Sequence, residues 1–157
     1  MIWCACIVLH HNGNVLLIAD KTLDLSFPGG KKESTDKGPK ETAVREFCEE
    51  VFGLDQKATR LMVYQCCSTE IITKLRDKLY TTVMLRGRSI KGCKKKRISK
   101  DTIYYCIHIS AWLYNQLVAN HKMVPLPINS LEGLTMRRRE NSSVKKNITL
   151  SISGHTS

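Results

Sequence analysis

The chain has 157 residues, 42% apolar and 25% charged, which is enough to bury one core and is ordinary for a globular domain. Lys and Arg number 25 against 14 acidic residues, a net charge of +11; residues 1–56 hold 6 basic and 9 acidic side chains, the remainder 19 and 5. No apolar stretch reaches the roughly 20 residues of a membrane helix, and the short run Ile2–Leu9 lacks the basic flank of a signal peptide. Seven cysteines without a CxxC pair argue against a disulfide framework or a zinc site, so a reducing, cytoplasmic setting without a membrane partner is expected.

In chain order, Ile2–Leu9 reads as a buried strand, Asn12-Gly13 as a tight turn, and Val15–Ala19 as the returning strand of a hairpin. Asp20–Leu25 is a connection and Phe27-Pro28-Gly29-Gly30 a turn. The polar loop Lys31–Lys40 leads into a helix from about Glu41 to Phe52, with Val44, Phe47, Val51 and Leu54 on one face and Gly53 as its stop. Strands are expected at about Arg60–Cys67, Tyr80–Arg86 and Ile103–Ile109. A helix follows at Ser110–His121, an extended piece at Val124–Pro127 and a short helix at Ser130–Met136. From Arg137 the chain turns basic and Ser-rich, so 1–136 is expected to fold as one domain and 137–157 to be a disordered tail. His10 and His11 flank a turn and should be exposed, His108 should be a core histidine or, second, a strand residue facing a pocket, and Cys48 should be helix packing.

The chemistry gathers in Gly30–Leu54. Glu46, Glu49 and Glu50 stand at i, i+3 and i+4, which puts three carboxylates on one helix face, opposite the Val44/Phe47/Val51 stripe. Like charges this close repel, and grouped hard oxygens suit Mg²⁺ or Mn²⁺. A Glu-rich helix face taken alone is more often simply solvated, and the flanking residues decide between the two meanings.

With those flanks, the segment resembles the signature of the Nudix family. That signature is a Gly, five residues, a Glu, seven residues, then R-E-U-x-E-E-x-G-U with U bulky and apolar. Here Phe27-Pro28-Gly29-Gly30 is followed by Asp36, by Arg45-Glu46-Phe47-Cys48-Glu49-Glu50 and by Gly53-Leu54. There are three departures. The loop acid is Asp36, with Glu33 as a substitute; eight residues, not seven, separate Asp36 from Arg45; and one extra residue precedes Gly53.

The resemblance implies an α/β/α sandwich with a mixed β-sheet and the catalytic helix in a loop-helix-loop. It implies hydrolysis of a diphosphate linkage in a nucleoside diphosphate-X substrate with Mg²⁺ or Mn²⁺ as cofactor. Glu46, Glu49 and Glu50 would be metal ligands, joined by the carbonyl of Gly29 or Gly30. Arg45 would orient them, and Glu46, Arg45 and Glu50 would be the catalytic groups, with Glu46 taking the proton of the attacking water. For a further acidic ligand only Glu70, Asp77 and Asp101 are at hand.

The basic residues bear on the substrate. Lys31, Lys32, Arg86 and the loop Lys94, Lys95, Lys96 and Arg97 are candidates for substrate binding. The cluster Arg137-Arg138-Arg139 with Lys145-Lys146 could also track phosphates, with Tyr104 or Tyr105 stacking on a base. The leading substrate is therefore the 5′ end of an RNA, as in decapping; free nucleotides, nucleotide sugars and inositol pyrophosphates are alternatives. From another class comes a non-catalytic RNA-binding module of the same fold.

Overall fold

The computed structural model describes residues 2–19, 24–53, 68–91, 100–136 and 139–154. The first strand, β1 (Ile2–His11), is apolar without alternation and lies at the centre of a seven-stranded sheet, buried on both faces. Along one edge it pairs in parallel with β6 (Lys100–His108), from Ile2↔Lys100 to His10↔His108. Its other edge is shared: β4 (Gly29–Lys31) covers Cys4–Cys6, and β2 (Asn14–Ala19) covers His10 and His11. Short β3 (Leu25–Ser26) and β7 (Val124–Pro127) pair with β2, and β5 (Arg88–Lys91) pairs antiparallel with β6. Between β1 and β2, Asn12 (φ 48) and Gly13 (φ 75) both take the left-handed conformation of a two-residue hairpin turn.

Strand alternation sends Ala5, Ile7 and Leu9 to one side and Cys6 and Val8 to the other. On the first side pack three helices: α1 (Pro39–Phe52), α2 (Ser68–Arg86) and α3 (Ala111–His121). On the second side lies α4 (Ser142–Ser153), through Val144, Ile148 and Ile152. The expected α/β/α sandwich with a mixed sheet is what forms. Among the described residues no helix is long and apolar enough to cross a membrane.

Helix α1 starts on Pro39, whose missing N–H costs nothing at a first helical position, and ends on Gly53 at φ 68. Helix α2 corrects the strand expected at Tyr80–Arg86. The β-prone run Tyr80-Thr81-Thr82-Val83 suggested extension, but Leu75, Leu79 and Val83 recur at four-residue spacing and are all buried. The expected strand at Arg60–Cys67 lies outside the described residues. The Gly29-Gly30 turn is instead strand β4, and Ser130–Met136 forms no helix beyond the end of a single 3₁₀ turn at Ile128–Ser130.

The largest correction concerns the tail. Val144, Ile148 and Ile152 form an apolar stripe that a basic, Ser-rich composition conceals, and all three are buried against Cys6, Val8, Phe27 and Tyr104. Asn141 caps the helix by accepting from the Val144 amide at 3.0 Å.

Candidate active site

Glu46 of α1 lies over Gly30 of β4, and Glu50 accepts from the Gly29 amide. An added Cβ at Gly30 would fall 2.4 Å from the Glu46 carboxyl carbon, so this glycine is what admits Glu46 to the sheet surface. Gly29 is squeezed from below, with the Ala5 carbonyl at 2.4 Å and the Cys6 sulfur at 2.5 Å from the same hypothetical atom.

The ladder also distinguishes the two glycine carbonyls. Ile7 donates to Pro28 and Lys32 to Trp3, both at 2.9 Å, and Ala5 stands opposite Gly30. Antiparallel alternation then gives the Gly30 carbonyl to Ala5 and turns those of Gly29 and Lys31 away from the sheet. The Lys31 carbonyl accepts from Arg45 at 2.9 Å and the Gly29 carbonyl from Arg139 at 3.4 Å.

Arg45 is the hub of the site. Its Nε and Nη2 grip the Asp36 carboxylate at 3.0 and 2.9 Å. Its Nη1 sits 3.3 Å from Glu33, 3.0 Å from Glu46 and 3.2 Å from Glu49. Asp36 is buried and further bonded by the Glu33 amide and the Thr42 hydroxyl, itself held by the Trp3 indole at 2.9 Å. Burial opposes ionisation of Asp36, but the bonds from Arg45, Glu33 and Thr42 outweigh it, and its pKa lies below the usual value. Desolvation would release the Arg45 proton, yet Asp36 and Glu46 hold its pKa above the ordinary guanidinium value. The structure thus makes Asp36 the anchor of Arg45 and leaves Glu33, with a half-exposed side chain, on the outer rim.

The carboxylates themselves are crowded. Burial and then Glu46 raise the pKa of Glu49. Glu50 has an exposed outer edge, but protein packed round its carboxyl end and the charge of Glu46 push it up to about 7, against the pull of Arg139 and the Gly29 amide. Among the described residues no three carboxylate, imidazole or thiol groups converge as a ready metal site. Arg45 draws Glu46 and Glu49 towards its own charge. The donor chemistry fits a hard divalent cation: oxygens alone, in excess of the positive charge beside them.

The other candidates are scattered. Lys31 is exposed on β4, and the Lys32 ammonium lies 4.6 Å from the centre of the Trp3 ring. Arg86 is exposed at the end of α2, and Lys94, Lys95, Lys96 and Arg97 lie outside the described residues. Asp77 pairs with Arg76 on α2, and the side chains of Glu70 and Asp101 are likewise outside the description. Two expected phosphate contacts prove internal: Lys145 is buried and donates to the Leu134 carbonyl at 2.7 Å, and Arg139 is spent on backbone beside the site. Tyr104 and Tyr105 are both core residues. Cys48 packs in the core, its thiol pushed up to about 12 by burial.

At the far end of β1, His10 departs from expectation and His108 takes the pocket-facing alternative. His10 is buried and His108 exposed, 5.4 Å apart by ring centres, in an open cleft of about 900 Å³ walled by the Asn12-Gly13 turn and the end of α4.

No family model and no curated protein matches the sequence. Solved structures do. A mutT/nudix family protein from Listeria innocua superposes with a TM-score of 0.54 at 12% identity, over 97% of this chain and 94% of that one. This chain has the Nudix fold. NrtR from Shewanella oneidensis superposes with a TM-score of 0.56 at 12% identity, over 98% of this chain and 64% of NrtR. In its complex with a 27mer DNA the score is 0.55 at 11% identity, over 98% and 62%. The chain therefore spans a little under two thirds of NrtR.

The sequence pointed to Arg139 only as a possible phosphate contact and gave no sign of Glu140 or of their place beside the site. They lie more than a hundred residues from β3 and β4 in sequence, and the Leu25–Met136 bridge and the packing of α4 flank the segment that brings them there.

Proposed function

We propose that the protein is a divalent-cation-dependent hydrolase of a diphosphate linkage in a nucleoside diphosphate-X substrate, acting by preference at the 5′ end of RNA. The observation that carries this is the gathering of Asp36, Glu46 and Glu49 round Arg45, with Glu46 seated over Gly30 and Glu50 beside the Gly29 amide. Glu46, Glu49, Glu50 and the Gly29 carbonyl would hold Mg²⁺ or Mn²⁺. Such a cation neutralises charge on phosphoryl oxygens and lowers the pKa of water in its shell. Glu46 accepts the proton of the water that attacks phosphorus, and Arg45 fixes the Glu46 carboxylate for that transfer. RNA as substrate is supported by the basic bias of residues 57–157 and by Lys31 and Lys32 flanking the site.

A second reading, a nucleic-acid-binding module without catalysis, draws support from two observations. Arg45 already neutralises Glu46 and Glu49, and NrtR, of the same fold, has been solved with a 27mer DNA. The deciding experiment offers capped RNA, free nucleotides, nucleotide sugars and inositol pyrophosphates with Mg²⁺ or Mn²⁺, with Glu49→Gln as control. Release of a capped nucleotide, lost in the variant, supports the proposal. Turnover of small substrates alone moves the substrate class, and RNA binding without cation-dependent turnover favours the module.

A further inference from the structure

Arg139 and Glu140 form a clamp on the backbone that carries the site. The Arg139 Nε bonds Glu140 at 3.1 and 3.2 Å, its Nη1 the Gly29 carbonyl at 3.4 Å and its Nη2 the Phe27 carbonyl at 2.5 Å. Glu140, with a fully buried side chain, accepts from the Phe27 amide at 3.1 Å. The Arg139 carbonyl in turn accepts from the Tyr104 hydroxyl at 3.3 Å, tying the pair to the centre of the sheet. Two adjacent residues thus fix both backbone groups of Phe27 and the outward carbonyl of Gly29. The next residue, Gly30, has no room for a side chain beneath Glu46.

We propose that Arg139 is a positioning residue of the carboxylate site: its planar fork, braced by Glu140, holds strand β4 where Gly29 and Glu46 can share one cation. This rests on the cation site proposed above. The clamp lies in the segment that a disordered tail would have removed, so the site is closed by the C-terminal part of the chain. A guanidinium is needed because three acceptors lie round it in different directions, and a lysine ammonium cannot span them with the same geometry.

The sign of the effect separates geometry from charge. A positive neighbour repels a second cation, so if Arg139 acted by charge alone its removal would tighten cation binding. If it acts by holding the carbonyl, its removal weakens binding.

The test is Mn²⁺ binding to the full chain, followed by the electron paramagnetic signal of free Mn²⁺, for wild type, Arg139→Gln and Arg139→Lys. Backbone amide exchange is measured on the same three proteins. The expected result is a dissociation constant about tenfold or more higher in both variants, as found for residues that support metal ligands. Exchange at Gly29 and Gly30 should quicken while the amides of α3 keep their rates. Arg139→Lys retains a charge for Glu140, so it remains informative if the glutamine variant does not fold. Tighter binding in Arg139→Gln with wild-type binding in Arg139→Lys would overturn the proposal, as would unchanged affinity with exchange faster everywhere. If wild type binds no Mn²⁺, the cation reading fails by itself. The clamp then stands or falls on whether exchange at Gly29 and Gly30 changes.

Discussion

Two arginines organise this molecule, and they do so in opposite ways. Arg45 faces four carboxylates, all within twelve residues of it in sequence, and its Glu33 and Glu49 partners keep 52% and 28% of their side chains exposed. Arg139 hydrogen-bonds one carboxylate, its immediate neighbour Glu140, and spends its other donors on carbonyls about 110 residues away, with Glu140 wholly buried. At Arg45 negative charge exceeds positive charge at a surface, which is the electrostatic setting the proposed cation requires. At Arg139 charge is matched one to one in the interior, so the pair has nothing left to bind and serves to fix backbone. Charge excess at an open edge marks the candidate site, and charge balance under cover marks its support.

The comparison sharpens first on activity. Glu49→Gln should lower cation-dependent hydrolysis by about a hundredfold or more, since one ligand and its charge are lost from phosphoryl transfer. Thermal denaturation should show that variant as stable as wild type or more so, because its carboxylate sits among like charges. A large loss of stability would place Glu49 in the frame instead.

On the other side, Glu140→Gln should cost about 3 kcal/mol in urea denaturation, because it strips a buried guanidinium of its counter-ion. Ile148→Ala should cost a similar amount, about 2–4 kcal/mol, since Ile148 is fully buried on α4. If both left stability untouched, α4 would not be part of the core.

A smaller effect is expected from Gly30→Ala. The new methyl displaces the Glu46 carboxyl, so turnover should fall about tenfold while stability changes by about 1 kcal/mol or less.

The smallest effect is on pH. Asp36 has a lowered pKa in the fold, so the stability it lends is full above its ordinary value of about 3.9 and is lost as pH falls through that range. Glu50 is raised to about 7, so the folded chain holds its proton longer than the unfolded chain does, and stability declines as pH rises from about 4 towards 7. Denaturation of Asp36→Asn should lack the acid limb, and Glu50→Gln should lack the decline towards neutrality. The Glu50 limb should be shallow, because its outer edge is open to water.

What could be read without coordinates was whatever depends on near neighbours in the chain. The spacing of Glu46, Glu49 and Glu50, the stripe of Val44 and Phe47, the Asn12-Gly13 turn and the Gly53 stop are local, and local periodicity fixes them. The strand mistaken at Tyr80–Arg86 shows where local propensity misleads: β-prone residues there obey a helical burial pattern that began at Leu75. Only the tertiary structure decided how the basic residues divide. Arg139 and Lys145 read as surface charge because the basic, Ser-rich composition round them masks Glu140 and the Val144/Ile148/Ile152 stripe. Their partners, the carbonyls of Phe27, Gly29 and Leu134, are backbone groups that look alike in every sequence. A buried carbonyl needs a donor wherever the chain happens to pass, and which donor reaches it is settled by packing alone.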